Sequence, residues 1–196
     1  MANDITVSKE IVLNAEAGRL RVRHVGIGNR EAVVITGDAE LSTPVPFRLQ
    51  SSCLFSESLL STDCDCALQL HEALKIVCAE GGLLIYLYEE GRGAGLRAKC
   101  DAIYLQQTTG CDTASAYHQL HLEPDPREYE TAAAILLALL GENAPVELIS
   151  NNIDRESRLR RAGVNIARRR PLVLTPTERV KTYLIEKARV LGHIVE

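Results

Sequence analysis

Three of the six cysteines fall within fourteen residues, in the stretch Cys53-Leu-Phe-Ser-Glu-Ser-Leu-Leu-Ser-Thr-Asp-Cys64-Asp-Cys66. Thiolates are preferred ligands of zinc and of other soft divalent ions. Three protein ligands leave one corner of a tetrahedral ion open, and an open corner is where water is activated. The spacing is not that of a zinc finger, which carries two paired half-sites. Cysteine is also a common core residue, so any of the three could be filler. A disulfide is conceivable too, although Cys64 and Cys66 are too close to pair easily with each other. Their clustering beside Glu57, Asp63 and Asp65 favours the metal.

A second piece of chemistry is Glu90-Gly-Arg-Gly-Ala-Gly95, between an apolar run and a helical stretch. Its glycines let backbone approach a ligand, and the helix start attracts anions. It matches neither the dinucleotide fingerprint nor the P-loop, and a plain strand-to-helix turn is the competing reading. Arg92 tips it towards phosphate or carboxylate recognition. Asp125-Pro-Arg127 sets a carboxylate two residues from a guanidinium, a pattern that is more often a solvated turn. Asn151-Asn152 and Arg155 follow an apolar run, where α/β proteins place ligands, although Asn152 or Asp154 could simply cap a helix. Arg168-Arg169-Arg170 reads as a solvated edge, with a phosphate partner as the alternative.

The elements that must position these groups follow from periodicity. Ile11-Val-Leu13, Leu20–Arg23 and Ala32–Thr36 read as strands of an antiparallel meander, with turns at 14–18 and 26–29. Phe47–Gln50 is a short strand delivering Cys53. A helix is expected over 66–80, stopped by Gly81-Gly82, then a buried strand over 83–88. Helices over 96–108 and 128–140, strands at 146–149 and 164–167, and a basic helix after Asn152 follow. Residues 111–127 read as a functional loop with a short helical piece. Thr175-Pro-Thr-Glu178 is a capping box opening a last helix to about Leu191. The fold class is therefore α/β, a mixed sheet flanked by helices after an N-terminal antiparallel meander.

A chain of 196 residues with 46% hydrophobic content can fill one core and reads as a single domain over 1–196. A net charge of −4 argues against a nucleic-acid or membrane-surface binder. No signal peptide is visible, and no apolar run approaches the ~20 residues that span a bilayer. Six cysteines without a leader point to a reducing compartment, so a cytoplasmic location is expected. Cys78, Cys100 and Cys111 lie apart from the cluster and read as structural.

Taken together, Cys53…Cys64-Asp-Cys66, Glu90-Gly-Arg-Gly-Ala-Gly-Leu96, Gly110-Cys-Asp-Thr113, Asp125-Pro-Arg127 and Ser150-Asn-Asn152 resemble the GTP cyclohydrolase II family. The likeness runs from about residue 18 to His193. It implies that Cys53, Cys64 and Cys66 hold a zinc ion whose bound water attacks C8 of the purine, and that C8 leaves as formate. It implies that Arg127 attacks the α-phosphorus or stabilises its charge as pyrophosphate leaves, with Asp125 as proton acceptor or electrostatic support. Arg48, Gln69, Glu90, Arg92, Thr113, Ser150 and Arg155 become nucleotide contacts. Mg2+ accompanies the phosphates, riboflavin synthesis is the pathway, and a homodimer is expected.

Several positions depart from the family pattern. Gln50 and Ser52 stand where histidine and glutamate are usual, and Ile103 where a tyrosine assists ring opening. Tyr104 is next to it, but one helical residue turns a side chain by ~100°. Arg155 replaces a lysine, and Ala67, Tyr117 and His121 replace glycine, asparagine and glycine. The ligands and the Asp/Arg pair persist while substrate-facing groups differ, which suits a divergent enzyme better than a decayed one. The first choice is a GTP-opening hydrolase, with hydrolysis that can stop at a formamidopyrimidine. The alternatives are an enzyme opening another purine or pyrimidine ring, and a nucleotide-binding zinc protein without turnover.

Overall fold

The computed structural model describes residues 4–174 apart from residues 124, 126 and 128. The expected capping box at Thr175–Glu178 and the final helix lie outside the described residues. Four N-terminal strands form first: β1 (Ile5–Val7), β2 (Ile11–Ala15), β3 (Gly18–Ile27) and β4 (Arg30–Thr36). β1 and β2 each pair antiparallel with β3, and β3 pairs with β4, so the expected meander is present. Its turns are tighter than the sequence suggests. β2 runs on to Ala15, and β3 continues through Gly26 and Ile27, so only Gly28 and Asn29 reverse the chain.

The second half of the sheet is built from β5 (Val45–Ser51), β6 (Leu83–Leu87), β7 (Val146–Ile149) and β8 (Ile166–Arg170). β5 pairs parallel with β6 and β7, β7 pairs parallel with β8, and β6 joins β4 antiparallel. The strand order is β1-β3-β4-β6-β5-β7-β8, with β2 also on β3, a mixed eight-stranded sheet. Helices α1 (Cys66–Glu80), α2 (Leu96–Thr109), α3 (Thr113–Gln119), α4 (Glu130–Leu140) and α5 (Ile153–Arg161) accompany it.

The alternation of β5 decides what lies where, because successive side chains face opposite sides of a sheet. Phe47 and Leu49 join Ile85 of β6, Leu148 of β7 and the Ala132, Ala133, Ile135 and Leu136 face of α4 in the main core. Each of these larger side chains stabilises the fold by about 1.5–3 kcal/mol on burial. The opposite face carries Arg48 and Gln50, and there Leu84 of β6 packs on Ala73 and Val77 of α1. Polar side chains on that strand face are buried, which apolar packing alone does not call for. Gly81 ends α1 at φ 64, where an added Cβ would lie 1.9 Å from the Glu40 carbonyl oxygen. The sequence expectation of a glycine stop is met by both conformation and space.

Because β5 has β6 on one side and β7 on the other, the winding direction reverses at β5. Ligands in α/β sheets gather beyond the carboxyl ends of parallel strands at such a reversal. From those ends the chain delivers Cys53, Glu90 and Ser150 to one edge of the sheet.

One sequence reading is refined here. Arg168 is exposed, as a solvated edge requires, but Arg168, Arg169 and Arg170 pair with Glu147 (2.5 Å), Glu156 (3.1 Å) and Glu80 (2.9 Å) respectively. These pairs tie β8 to its neighbours.

His121 has φ 57, a left-handed conformation, which explains why the family resemblance expects glycine at that position. A non-glycine residue there costs roughly 1–2 kcal/mol, partly offset by the extra chain entropy that glycine loses on folding. His121→Gly is therefore expected to raise the unfolding free energy by about 0.5–1 kcal/mol in urea denaturation. An equal or lower stability would contradict the strain.

Candidate active site

β5 ends one residue before Ser52, and Cys53 is buried directly beyond it. A single π-helical turn, Leu54–Ser58, then turns the chain, and Cys64 and Cys66 return at the start of α1. The three sulfur atoms lie within 4.8 Å of one another, and Cys53 Sγ is 3.7 Å from Cys64 Sγ. A disulfide needs about 2.05 Å, and all six cysteines are free. Tetrahedral zinc with ~2.3 Å bonds would hold its sulfurs about 3.8 Å apart. The donor set therefore fits a single metal ion with three thiolate ligands, and the disulfide reading falls away. Hydrogen bonding from Cys64, then from Cys66, holds the Cys53 thiol far below its usual pKa, while the same contact pushes Cys64 up.

Lys99, from the first turn of α2, donates to Cys53 Sγ (3.2 Å) and to Glu90 Oε2 (2.8 Å). Glu90 in turn accepts from the Leu54 backbone N–H. Glu57 accepts from the Cys53 N–H at 3.3 Å, from Gln50 Nε2 at 3.2 Å and from the Tyr86 hydroxyl at 2.5 Å. Burial raises the Glu57 carboxyl pKa, and burial together with Glu57 raises that of Tyr86. Gln50, at a position where the resemblance expects histidine, thus joins Arg48 to Glu57, so a carboxylate still reaches the cysteine loop without the usual glutamate at Ser52.

Arg48 lies on the same strand face, with Nη2 2.6 Å from Gln69 Oε1 and 2.9 Å from Gln50 Oε1, and Nη1 3.1 Å from the Ile149 carbonyl. Arg155 of α5 donates to the Leu49 carbonyl at 2.9 Å. Both guanidiniums are buried, and burial followed by repulsion from Arg155 lowers the Arg48 pKa. Ser150 is buried at the end of β7, and Asn152 caps α5 by accepting from the Arg155 N–H at 3.2 Å. The capping role of Asn152 is therefore real.

Asp125 and Arg127 form a two-pronged pair, with Arg127 Nε 2.7 Å from Oδ1 and Nη2 on Oδ2, and both side chains less than a fifth exposed. The solvated-turn reading is thus overturned. The pair raises the pKa of Arg127 and lowers that of Asp125, each against the opposing effect of burial. Arg127, Arg155 and Arg158 all place their guanidinium carbons within 6 Å of the Tyr129 ring centre, at 5.9, 5.6 and 4.7 Å. A ring face attracts cations in this range, so Tyr129 brings together charges that would otherwise disperse. The buried Nε of Arg155 and the Tyr129 hydroxyl have no hydrogen-bond partner among the described residues. A cluster of cations with an unused donor is suited to an oxyanion.

The glycine loop connects the two centres. Gly91 and Arg92 both sit in the left-handed region, at φ 57 and φ 58. A Cβ on Gly91 would stand 3.2 Å from that of Lys99, and one on Gly93 would stand 3.5 Å from Arg127 Cγ. The Tyr117 hydroxyl donates to the Gly91 carbonyl at 3.0 Å, and Arg92 lies 5.8 Å from its ring centre. Strain in a non-glycine residue such as Arg92 persists where the surroundings enforce it, commonly at ligand clamps. Thr113 opens α3 with its hydroxyl on Gln106 of α2 at 3.0 Å, away from the polar links that join the other predicted residues.

Sequence reasoning did not single out Lys99, Tyr86, Tyr129 or Arg158, and it named Glu57 only as a neighbour of the cysteines. Lys99 offered a signal, since a lysine in the first turn of a helix opposes the helix dipole. The others act through side-chain contacts across the fold that no local pattern records. Tyr104 is 66% exposed and does not take the place of the tyrosine missing at Ile103.

The GTP cyclohydrolase II family model matches residues 8–171. A GTP cyclohydrolase-2 of Salmonella typhimurium is 40% identical over 169 residues, covering 86% of this chain and 85% of its own length. Proteins of the same name from Shigella boydii serotype 18 and Escherichia coli O9:H4 are 39% identical over the same shares.

Asp125 has its folded-state pKa lowered, so its stabilising effect is complete above the unfolded carboxyl value near ~4 and is lost as pH falls through the folded value. Asp125→Asn is expected to lower the unfolding free energy at pH 7 by roughly 1–3 kcal/mol. It should also reduce the loss of stability below pH 4. An acid profile identical to the parent protein would contradict the pairing.

Proposed function

The chain belongs to the GTP cyclohydrolase II family, and on that premise we propose that it hydrolyses GTP, opening the imidazole ring with release of formate and pyrophosphate. The observation that carries this reading is the glycine loop, which packs on Lys99 beside the three cysteine sulfurs on one side and on Arg127 of the guanidinium cluster on the other. Zinc held by Cys53, Cys64 and Cys66 would supply Lewis-acid activation of water for attack at C8.

The protein's own groups then divide the work. Glu90, tied to the Leu54 N–H and to Lys99, has a fixed carboxylate that suits the donor edge of a purine. Arg48 and Ser150, both buried, and the half-buried Gln69 form the wall beneath it, and Arg92 and Arg155 offer charge to the triphosphate. Arg127 stands ready for the α-phosphate. As a nucleophile it would have to lose a proton that its pair with Asp125 favours keeping. The geometry therefore supports Arg127 as a stabiliser of charge while pyrophosphate leaves, with Asp125 holding the guanidinium in place. Thr113 belongs to the substrate contacts on the resemblance alone.

Mg2+ enters this reading only as a companion of the substrate phosphates, since the cysteine trio is the one grouping of three ligands found among the described residues. No described helix is long and apolar enough to cross a membrane. The homodimer is part of the proposal, and a monomer in light scattering at micromolar concentration would remove that part.

Incubation with GTP is expected to yield formate and pyrophosphate together. Formate without pyrophosphate would point instead to a nucleoside, base or monophosphate substrate, and tight nucleotide binding without either product to a non-enzyme. Cys64→Ser should remove metal, measured by mass spectrometry, together with at least 100-fold of the ring-opening rate; retained turnover would refute the metal's role. Ile103→Tyr should move the product distribution from formamidopyrimidine towards full release of formate. Unchanged products would show that position 103 does not control completion.

A further inference from the structure

Lys99 is unexplained by the reading above, and its surroundings are unusual for a lysine. It sits in the first turn of α2, where the helix dipole disfavours a cation. Its ammonium is largely buried, lies 4.7 Å from the Phe55 ring centre and is shared between one sulfur and one carboxylate. The loop packs closely on it: a Cβ at Gly91, itself in a left-handed conformation, would stand 3.2 Å from the Lys99 Cβ. An ion pair with Glu90 alone would not require the sulfur contact, and an unused surface lysine would not be enclosed.

We propose that Lys99 is a positioning residue that tunes the metal centre, drawing electron density from the Cys53 sulfur while fixing Glu90 against the backbone of Leu54. The inference rests on the metal reading. Three thiolates and one divalent ion leave a net charge of −1, which a single ammonium at 3.2 Å compensates. A hydrogen bond to a ligand sulfur weakens its donation, so the ion remains a stronger acid towards its remaining ligand. Outer partners of this kind commonly contribute 10–100-fold to metal affinity or activity. The same ammonium links the Cys53 sulfur to the Glu90 carboxylate, so one side chain sets the acidity of the site and the position of the base-recognising group.

The test uses full-length protein reconstituted with Co2+, whose thiolate-to-cobalt charge-transfer band in the near ultraviolet reports how strongly the sulfurs donate. Lys99→Met should bind one cobalt per chain, move that band to longer wavelength and lower kcat about tenfold or more. Lys99→Arg, which keeps a donor, should restore most of the band position. If Lys99→Met does not fold, Glu90→Gln supplies the second measurement. It leaves the ammonium to sulfur alone and should move the band to shorter wavelength. A Lys99→Met band at the parent position, or a Glu90→Gln band unmoved, would overturn the inference while leaving the metal site intact. Failure of the parent protein to take up cobalt would instead overturn the metal reading and this inference with it.

Discussion

Three sulfur ligands crowded into a water-poor corner repel one another once they are ionised, and this constraint governs the architecture around them. A divalent cation relieves it directly. The protein contributes partial relief of its own through the Lys99 ammonium at 3.2 Å from Cys53, while Cys64 shares a proton with the same sulfur. To hold the three in place the chain uses the end of a buried central strand, one π-helical turn and the first residue of α1. Each of those supports depends on the core beneath, where Phe47 and Leu49 anchor β5 and leave Arg48 and Gln50 pointing to the site.

Opposite charge is concentrated a short way along the same sheet edge. Arg48 and Arg155 are buried and donate to the Ile149 and Leu49 carbonyls, Arg127 pairs with Asp125, and the Tyr129 ring faces three guanidiniums. Burying charge is unfavourable unless a partner arrives, and in the proposed reading that partner is the substrate phosphate. On that reading the arginine site takes the triphosphate and the cysteine site faces the purine, with the glycine loop between them. A side chain at Gly91 would crowd Lys99, and one at Gly93 would strain a backbone at φ 89 that packs beside Arg127, so either centre can be disturbed through one loop.

Much of this was legible in the residues alone. The strand and helix periods, the glycine stops and the convergence of Cys53, Cys64 and Cys66 came from spacing, and α1 and α2 match their expected spans closely. Charge pairing was less legible. Arg168, Arg169 and Arg170 look like a basic run, yet each meets a glutamate from a different part of the chain. Asp125-Pro-Arg127 looks like a solvated turn until Tyr129 and Arg158 enclose it. The exchange of the usual histidine and glutamate for Gln50 and Ser52 suggested a lost carboxylate, whereas Glu57 brings one in from the following turn. Such contacts depend on tertiary placement, and no single-sequence pattern encodes them.

The central claim concerns the coordination of one ion, and X-ray absorption at the zinc edge of purified, reduced protein addresses it most directly. The account predicts three sulfur scatterers at about 2.3 Å and at least one lighter oxygen scatterer completing the shell. A shell of four sulfurs, or of protein ligands only with no place for water, would contradict it, as would protein that is active towards GTP yet free of metal.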